Sequence, residues 1–158
     1  MATGVVDHSA LKVNQTGIVA TVLVAYVGSF YAPTLFLIPL LAIVLLVGTF
    51  EPQLALFKQL YFKVLKPRGL VKARPVADTP EPHNFAQGLG GVFLTVSSIL
   101  IFLPLLRGDF RPNPVEVVGL ALALLVAVLA FVNLAFGYCL GCQIYFQLGK
   151  AGFIKATR

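Results

Sequence analysis

The chain has 158 residues, 58% of them hydrophobic and only 11% charged, with 12 Lys and Arg against 6 Asp and Glu for a net charge of +6. A soluble domain carries roughly 25% charged residues, so this composition excludes a water-soluble domain as the body of the chain and points to a membrane protein. The basic excess does not mark nucleic-acid binding, because the lysines and arginines sit in connections between apolar runs, where lipid headgroups meet them.

Residues 1–11 are polar, contain Asp7 and His8 and lack a basic n-region, so the first apolar run reads as a retained span and not a signal peptide. No Asp, Glu, Lys, Arg or His occurs in residues 13–50. One ionised side chain at mid-bilayer costs about 2.5–3.5 kcal/mol. A spanning helix needs about 20 residues, so this run fits two spans, over residues 14–29 and 33–50. The turn between them is expected at Gly28-Ser29-Phe30-Tyr31-Ala32-Pro33. Pro33 suits the first helical position, where a missing N–H costs nothing. Pro39 is expected to kink the second span.

Residues 53–66 differ in kind. Leu54, Phe57, Tyr61, Val64 and Leu65 recur at helical spacing, with Lys58, Gln59, Lys63 and Lys66 largely opposite. That is an amphipathic basic helix of the type that lies among lipid headgroups. Residues 67–84 hold Pro75, Pro80 and Pro82 and read as a loop. A third span covers residues 85–106, with Gly88, Gly90 and Gly91 permitting close helix approach and Pro104 ending or kinking it. Asn113 supplies the N-cap of a fourth span over 115–136, Pro114 its first residue, and Glu116 faces the positive end of its dipole. Helical continuation is expected to about residue 148. The fold class is thus an all-α integral membrane protein, a single membrane domain over residues 1–158 with four transmembrane helices plus one interfacial helix. Four spans put Lys12, Lys58, Lys63, Lys66, Arg68, Lys72, Arg74, Lys150, Lys155 and Arg158 on one side, and Arg107 and Arg111 on the other. By the positive-inside rule both termini and the loop 67–84 are cytoplasmic.

The two cysteines, Cys139 and Cys142, fall at the cytoplasmic end of the fourth span. At i and i+3 on one helix, their sulfurs share a face and can join. If Gly137 instead breaks the helix and a new turn begins at Cys139, the helix dipole lowers that thiol's pKa and makes it nucleophilic. Gly141 would let a neighbouring backbone come close. A third alternative makes both cysteines small packing residues. The cytoplasm is reducing, so a permanent structural disulfide is not expected there. Asn14, Gln15, His83, Asn84 and Gln87 fall at the same membrane face and are candidates to surround the thiols, with His83 as a base or thiolate stabiliser. Otherwise His83 caps the third span with Asn84 as its N-cap, and His8 is solvated. His8 and His83 would complete a Cys2His2 set, but these ligands are scattered along the chain, so neither a metal nor a cofactor is expected. No histidine or charged residue lies mid-span, which removes the ligands of a haem and the parts of an ion-coupled pump. Asn133 lies deepest in the fourth span and is expected to hydrogen-bond to a neighbouring helix.

Three stretches together carry a resemblance. They are Val6-Asp7-His8-Ser9-Ala10-Leu11-Lys12-Val13-Asn14-Gln15, Phe85-Ala86-Gln87-Gly88-Leu89-Gly90, and Phe136-Gly137-Tyr138-Cys139-Leu140-Gly141-Cys142 with Tyr145. The chain resembles the bacterial membrane-protein family called domain of unknown function 4395, from about residue 6 to 148. The resemblance implies a multi-pass protein of the bacterial inner membrane, a cysteine pair that is a family feature, and association with soluble thioredoxin-like or sulfurtransferase-like proteins. The expectation is therefore a cytoplasmic-face C-x-x-C dithiol engaged in thiol redox or sulfur handling with a soluble partner. Two other readings stay open: a non-catalytic accessory or assembly subunit of a larger membrane complex, and transport of a small sulfur species. The residues leave open whether the chain is an enzyme. Lipids are expected partners, and nucleic acid is not.

Overall fold

In the computed structural model, which describes residues 5–30, 33–108 and 113–152, the first helix starts at a carboxylate. Asp7 is extended and its Oδ1 accepts the N–H of Ser9 at 3.0 Å, so it caps helix α1 (His8–Gly28). A carboxylate there satisfies an otherwise unpaired N–H and sits at the positive end of the helix dipole. The first helix thus begins well before the expected residue 14. Asp7 also ends strand β1 (Val5–Asp7), which pairs antiparallel with β2 (Pro75–Ala77), Val6 opposite Val76. That pairing was not expected from the sequence.

A short 3-10 turn (Thr34–Phe36) leads into α2 (Leu37–Phe50). Pro39 falls in the first turn of α2, where an N–H has no α-helical acceptor to lose, so it marks a start and not the expected mid-span kink. Helix α3 (Leu56–Leu60) runs on as one π-helical turn (Tyr61–Leu65). It is shorter than the expected 53–66, and its apolar side is not free. Tyr61 is fully buried and donates to Asp7 Oδ2 at 2.8 Å. The Phe57 ring lies across Gly17 of α1. Lys58 turns inward, donating to Asn84 Oδ1 at 3.1 Å, and burial pushes its ammonium below the ordinary lysine value.

Helix α4 (Pro80–Leu106) starts ahead of the expected residue 85, because Pro80 and Pro82 occupy its first turn, where a proline breaks no helical bond. The expected loop therefore gives its last residues to α4, and His83 and Asn84 lie inside the helix instead of capping it. Pro104 lies inside α4 near its end. Helix α5 (Pro114–Phe136) begins as expected, with Asn113 Oδ1 accepting from Val115 N at 3.0 Å and Pro114 at the first position. The expected continuation to 148 does not occur. Gly137, at φ 70°, ends α5 in the left-handed region that favours glycine, and α6 (Leu140–Lys150) starts afresh. Tyr31 and Ala32 of the expected turn, Asp109, Phe110, Arg111 and Pro112 of the expected connection, and the tail residues Lys155 and Arg158 lie outside the described residues.

Helices α1, α2, α4 and α5 pack around Val22, Ala25, Ile38, Leu45, Leu94 and Ala123, all buried. Small residues set the closest approaches. Gly88 and Gly91 of α4 face Thr49 and Leu46 of α2, and a Cβ on Gly119 of α5 would lie 2.9 Å from the Ser97 carbonyl oxygen of α4. Ser97 Oγ donates to Gly119 O at 2.6 Å, and the Tyr26 hydroxyl donates to Leu120 O, so polar bonds tie α5 to both α4 and α1. The outside is as apolar as the inside: Leu23, Val27, Leu40, Ile43, Val96, Ile99, Val128 and Phe131 are exposed. Such a surface would drive association in water and is at home in hydrocarbon. Three helices, His8–Gly28, Pro80–Pro104 and Pro114–Phe136, are long and apolar enough to cross a bilayer, and Thr34–Phe50 is a shorter apolar helix. The chain is an all-α membrane protein.

Burial opposes ionisation of Asp7, but hydrogen bonds from Arg74 N, the Tyr61 hydroxyl and Ser9 N, together with the Lys66 ammonium, outweigh it and hold the carboxyl below its ordinary 3.8. A carboxyl depressed in the folded state adds stability above its unfolded pKa and loses it as pH falls through the folded one. Melting of the protein in detergent should therefore fall as the pH drops below about 4. Asp7→Asn should start about 1–3 kcal/mol less stable at pH 7 and lose less on acidification.

Candidate functional site

The break between α5 and α6 makes the site. Gly137 N donates to Asn133 O at 2.9 Å, closing α5. Tyr138 links the two helices, and Cys139, extended, is the N-cap of α6, with Sγ accepting the N–H of Cys142 at 3.2 Å. Of the two helical arrangements open to C-x-x-C, the structure adopts the second, in which a new helix begins at the first cysteine. A sulfur at this position faces unpaired N–H groups and the positive end of a helix dipole, both of which favour thiolate. Cys139 and Cys142 are joined as a disulfide, with Cα atoms 5.2 Å apart. Cys139 is half-buried; Cys142 is 9% exposed.

Helix α6 folds back on the start of α4. Gly141 makes this possible, since a Cβ there would come within 2.8 Å of the Ala86 Cα. Tyr145 reinforces the contact, its hydroxyl donating to Glu81 at 3.2 Å and its ring resting on Phe85 with centroids 5.5 Å apart. This brings His83 onto the sulfurs: its Nδ1 lies 3.6 Å from Cys142 Sγ, and its Nε2 lies 3.0 Å from Asp78 Oδ2. The His83 hydrogen bond holds the Asp78 carboxyl below its ordinary value; burial works against this, while Thr79 N–H and His8 add to it. An ionised Asp78 only accepts, so it fixes the His83 proton on Nε2 and leaves the Nδ1 lone pair facing Cys142. The result is an Asp78–His83–Cys142 line of the kind that moves protons to and from sulfur.

His8 borders the same cluster. Its Nε2 is buried and 3.4 Å from Asp78 Oδ2, an ion-pair distance without hydrogen-bond alignment, while the side chain as a whole stays 41% exposed, so the expected solvation holds for part of the ring only. Asp78 is not legible as a site residue in the sequence, because it sits in a proline-rich segment with no motif around it. Its only signal was a place between His83 and the β2 strand that nothing in the sequence announces. Two trios of ligating groups lie with their atoms within 4.8 Å of one another: His83, Cys139 and Cys142, and His8, Asp78 and His83. In the reduced state the first offers two sulfurs and a nitrogen, a set zinc accepts; the disulfide withdraws it.

Below the sulfurs lies a cavity of about 290 Å³ between α1, α2, α4, α5 and α6. Of the residues expected around the thiols, Asn14, Gln15, His83 and Gln87 line it together with Cys139. Asn84 does not, being engaged with Lys58. Asn14 Nδ2 donates to Gln87 Oε1 at 3.4 Å, and Gln87 Nε2 donates to Leu45 O at 3.1 Å. Asn133 also lines the cavity and makes no side-chain bond to a neighbouring helix among the described residues.

Gly141→Val is expected to lift α6 from α4, lowering stability by about 1–3 kcal/mol. In a Cys139→Ser background it should also speed maleimide alkylation of Cys142, because the thiol leaves its burial against His83.

A family model described as Domain of unknown function (DUF4395) matches residues 6–150. No curated protein and no solved structure matches the chain. The chain belongs to that family.

Proposed function

We propose that this member of a family described without an activity is a thiol–disulfide exchange protein of the bacterial inner membrane. It crosses the bilayer four times, with both termini and the cysteine pair on the cytoplasmic side. The fourth crossing is Thr34–Phe50, whose 17 residues rise about 26 Å at 1.5 Å each. That falls short of the ~30 Å hydrocarbon core by an amount that local thinning absorbs. Helix α3 and its π-helical turn lie at the headgroups, with Leu56, Leu60 and Phe62 exposed to lipid and Lys63 and Lys66 to phosphate. The ten basic residues of the cytoplasmic side support this orientation.

The observation that carries the reading is the Asp78–His83–Cys142 line, ending on a cysteine whose partner sulfur caps a helix. The partner is a soluble dithiol protein, thioredoxin-like or sulfurtransferase-like. One of its thiolates attacks Cys139 Sγ, the more accessible sulfur. The bond to Cys142 breaks, and its electron pair leaves on Cys142 Sγ, which takes a proton from Nδ1 once His83 has gained that proton from water, Asp78 holding the imidazolium. The partner's second thiolate then attacks its own sulfur in the mixed disulfide and releases Cys139 as a thiolate at the start of α6. One dithiol has been oxidised and one disulfide reduced; Cys142 ends as a thiol and Cys139 as a thiolate, and the partner's two thiol protons have gone to water.

Reduction of the purified protein by dithiothreitol, followed by alkylation, tests this. His83→Ala and Asp78→Asn should each slow exchange roughly 100-fold or less, within the range of lost acid–base assistance, and flatten its pH profile. Cys142→Ser should retain a mixed disulfide on Cys139. Stoichiometric zinc in the purified protein, or full function in cells of both Cys139→Ser and Cys142→Ser, would overturn the reading.

A further inference from the structure

The cavity beneath the sulfurs has a composition that the exchange reaction with a soluble partner does not use. Its walls are apolar, formed by Ile18, Leu45, Phe93, Val126 and Leu129. One end is polar and carries Asn14, Gln87, His83 and Cys139. Asn14 and Gln87 are buried, 7% and 8% exposed. Each side-chain amide has two N–H bonds. One from Asn14 goes to Gln87, and one from Gln87 goes to Leu45 O. The second N–H of each has no partner among the described residues. Donors left over in a membrane interior are costly unless an acceptor meets them.

The occupant is constrained by these facts. It enters a space walled by membrane helices, so it is lipid-soluble. It brings acceptor oxygens for spare amide hydrogens. It lies against Cys139, half of a couple that gives up two electrons and two protons at a time. The volume, about 290 Å³, is at the small end of the roughly 300–1,000 Å³ of small-molecule sites and suits one substituted ring with the start of a tail. A lipid acyl ester could offer acceptor oxygens but has no place for electrons, and its hydrocarbon tail offers neither.

We infer that the cavity binds a lipid-soluble quinone, which re-oxidises the Cys139–Cys142 dithiol; this rests on the redox reading above. The Cys139 thiolate adds to a ring carbon of the quinone. Cys142, giving its proton to His83, attacks Cys139 Sγ. The S–S bond forms, the sulfur–ring bond breaks, and its electron pair stays on the ring. The quinone oxygens take one proton from Cys142 by way of His83 and a second from water. One dithiol and one quinone become one disulfide and one quinol, and electrons from a cytoplasmic thiol reach the membrane quinone pool.

The test uses the full chain in detergent, pre-reduced and freed of reductant, with decylubiquinone as the probe. Loss of alkylatable thiols and formation of quinol are followed together. The expected result is one quinol per two thiols. Gly90 faces the cavity, and a Cβ there would have no neighbour nearer than 3.7 Å, so Gly90→Leu fills the space without a clash at its root. It should slow quinone-dependent oxidation at least tenfold relative to exchange with dithiothreitol. Should that variant not fold, decylubiquinone binding is read instead as a rise in melting temperature of the Cys139→Ser/Cys142→Ser protein, with decanol, a tail without a ring, giving no rise. Three results overturn the inference while leaving the exchange reading intact: thiols that exchange with dithiothreitol but are not oxidised by the quinone, equal quinone rates in Gly90→Leu and the unaltered chain, or a melting shift as large with decanol. A disulfide that dithiothreitol does not reduce fails the exchange reading itself and takes this inference with it.

Discussion

One carboxylate holds one end of the helix bundle together. Asp7 caps α1 through Ser9 N, accepts the hydroxyl of the buried Tyr61, accepts the N–H of Arg74 at 3.1 Å and faces Lys66 at 3.8 Å. It thus joins the first helix, the π-helical turn after α3 and the chain entering β2. Ser9 repeats the link, its Oγ donating to Lys72 O at 2.7 Å. Strand β2 leads directly to Asp78, and Asp78 orients His83. The geometry at the sulfurs therefore depends on an acid far from them in sequence. Without Asp7 the buried Tyr61 hydroxyl loses its carboxylate acceptor, and the segment that carries Asp78 loses the bond at Arg74 N.

What could be read in the sequence is what is decided locally or by solvent. Hydrocarbon tolerates so few charges that the uncharged runs announce their helices. Asn113, Pro114 and Glu116 mark the start of α5 correctly because a cap is satisfied within three residues. The remainder depends on partners far along the chain. Tyr61 reads as the apolar face of a lipid-bound helix, and only the arrival of Asp7, 54 residues away, makes it a buried donor. Pro80 and Pro82 read as breakers, yet they open a helix, because what a proline removes depends on which turn it occupies. The β1–β2 pairing is three residues long and includes Pro75, too little for any periodicity to register.

The candidate site was half legible for the same reason. The cysteines, His83, Asn14 and Gln87 follow from topology, since all lie at one end of a bundle. Asp78 and His8 enter only through the Asp7-dependent path of the chain. Gly137 admitted both a continuous helix and a broken one. The left-handed turn decides it, and α6 packing on α4 through Gly141 and Tyr145 supplies the tertiary contact that rewards the break.

That break reconciles two demands that oppose each other. A thiolate, a carboxylate and an imidazole that exchanges protons need water or fixed dipoles around them, whereas an apolar cavity needs to be enclosed by spans. In a continuous helix the N–H groups near Cys139 would be bonded to preceding carbonyls and would offer nothing to a sulfur. Ending α5 at Gly137 frees a helix N-terminus at the end of the apolar bundle, with Cys139 as its cap. Helix α4 serves both sides of that boundary with one face. His83, Ala86 and Gln87, at i, i+3 and i+4, point the same way: His83 to the sulfur, Ala86 to Gly141 and Gln87 into the cavity. Because Ala86 fixes how closely α6 approaches, the His83 imidazole, the sulfurs and the cavity amide keep one mutual geometry. A shift of α6 along α4 would therefore disturb the His83–Cys142 contact and the cavity together, which couples the two halves of the site through a single helix–helix contact.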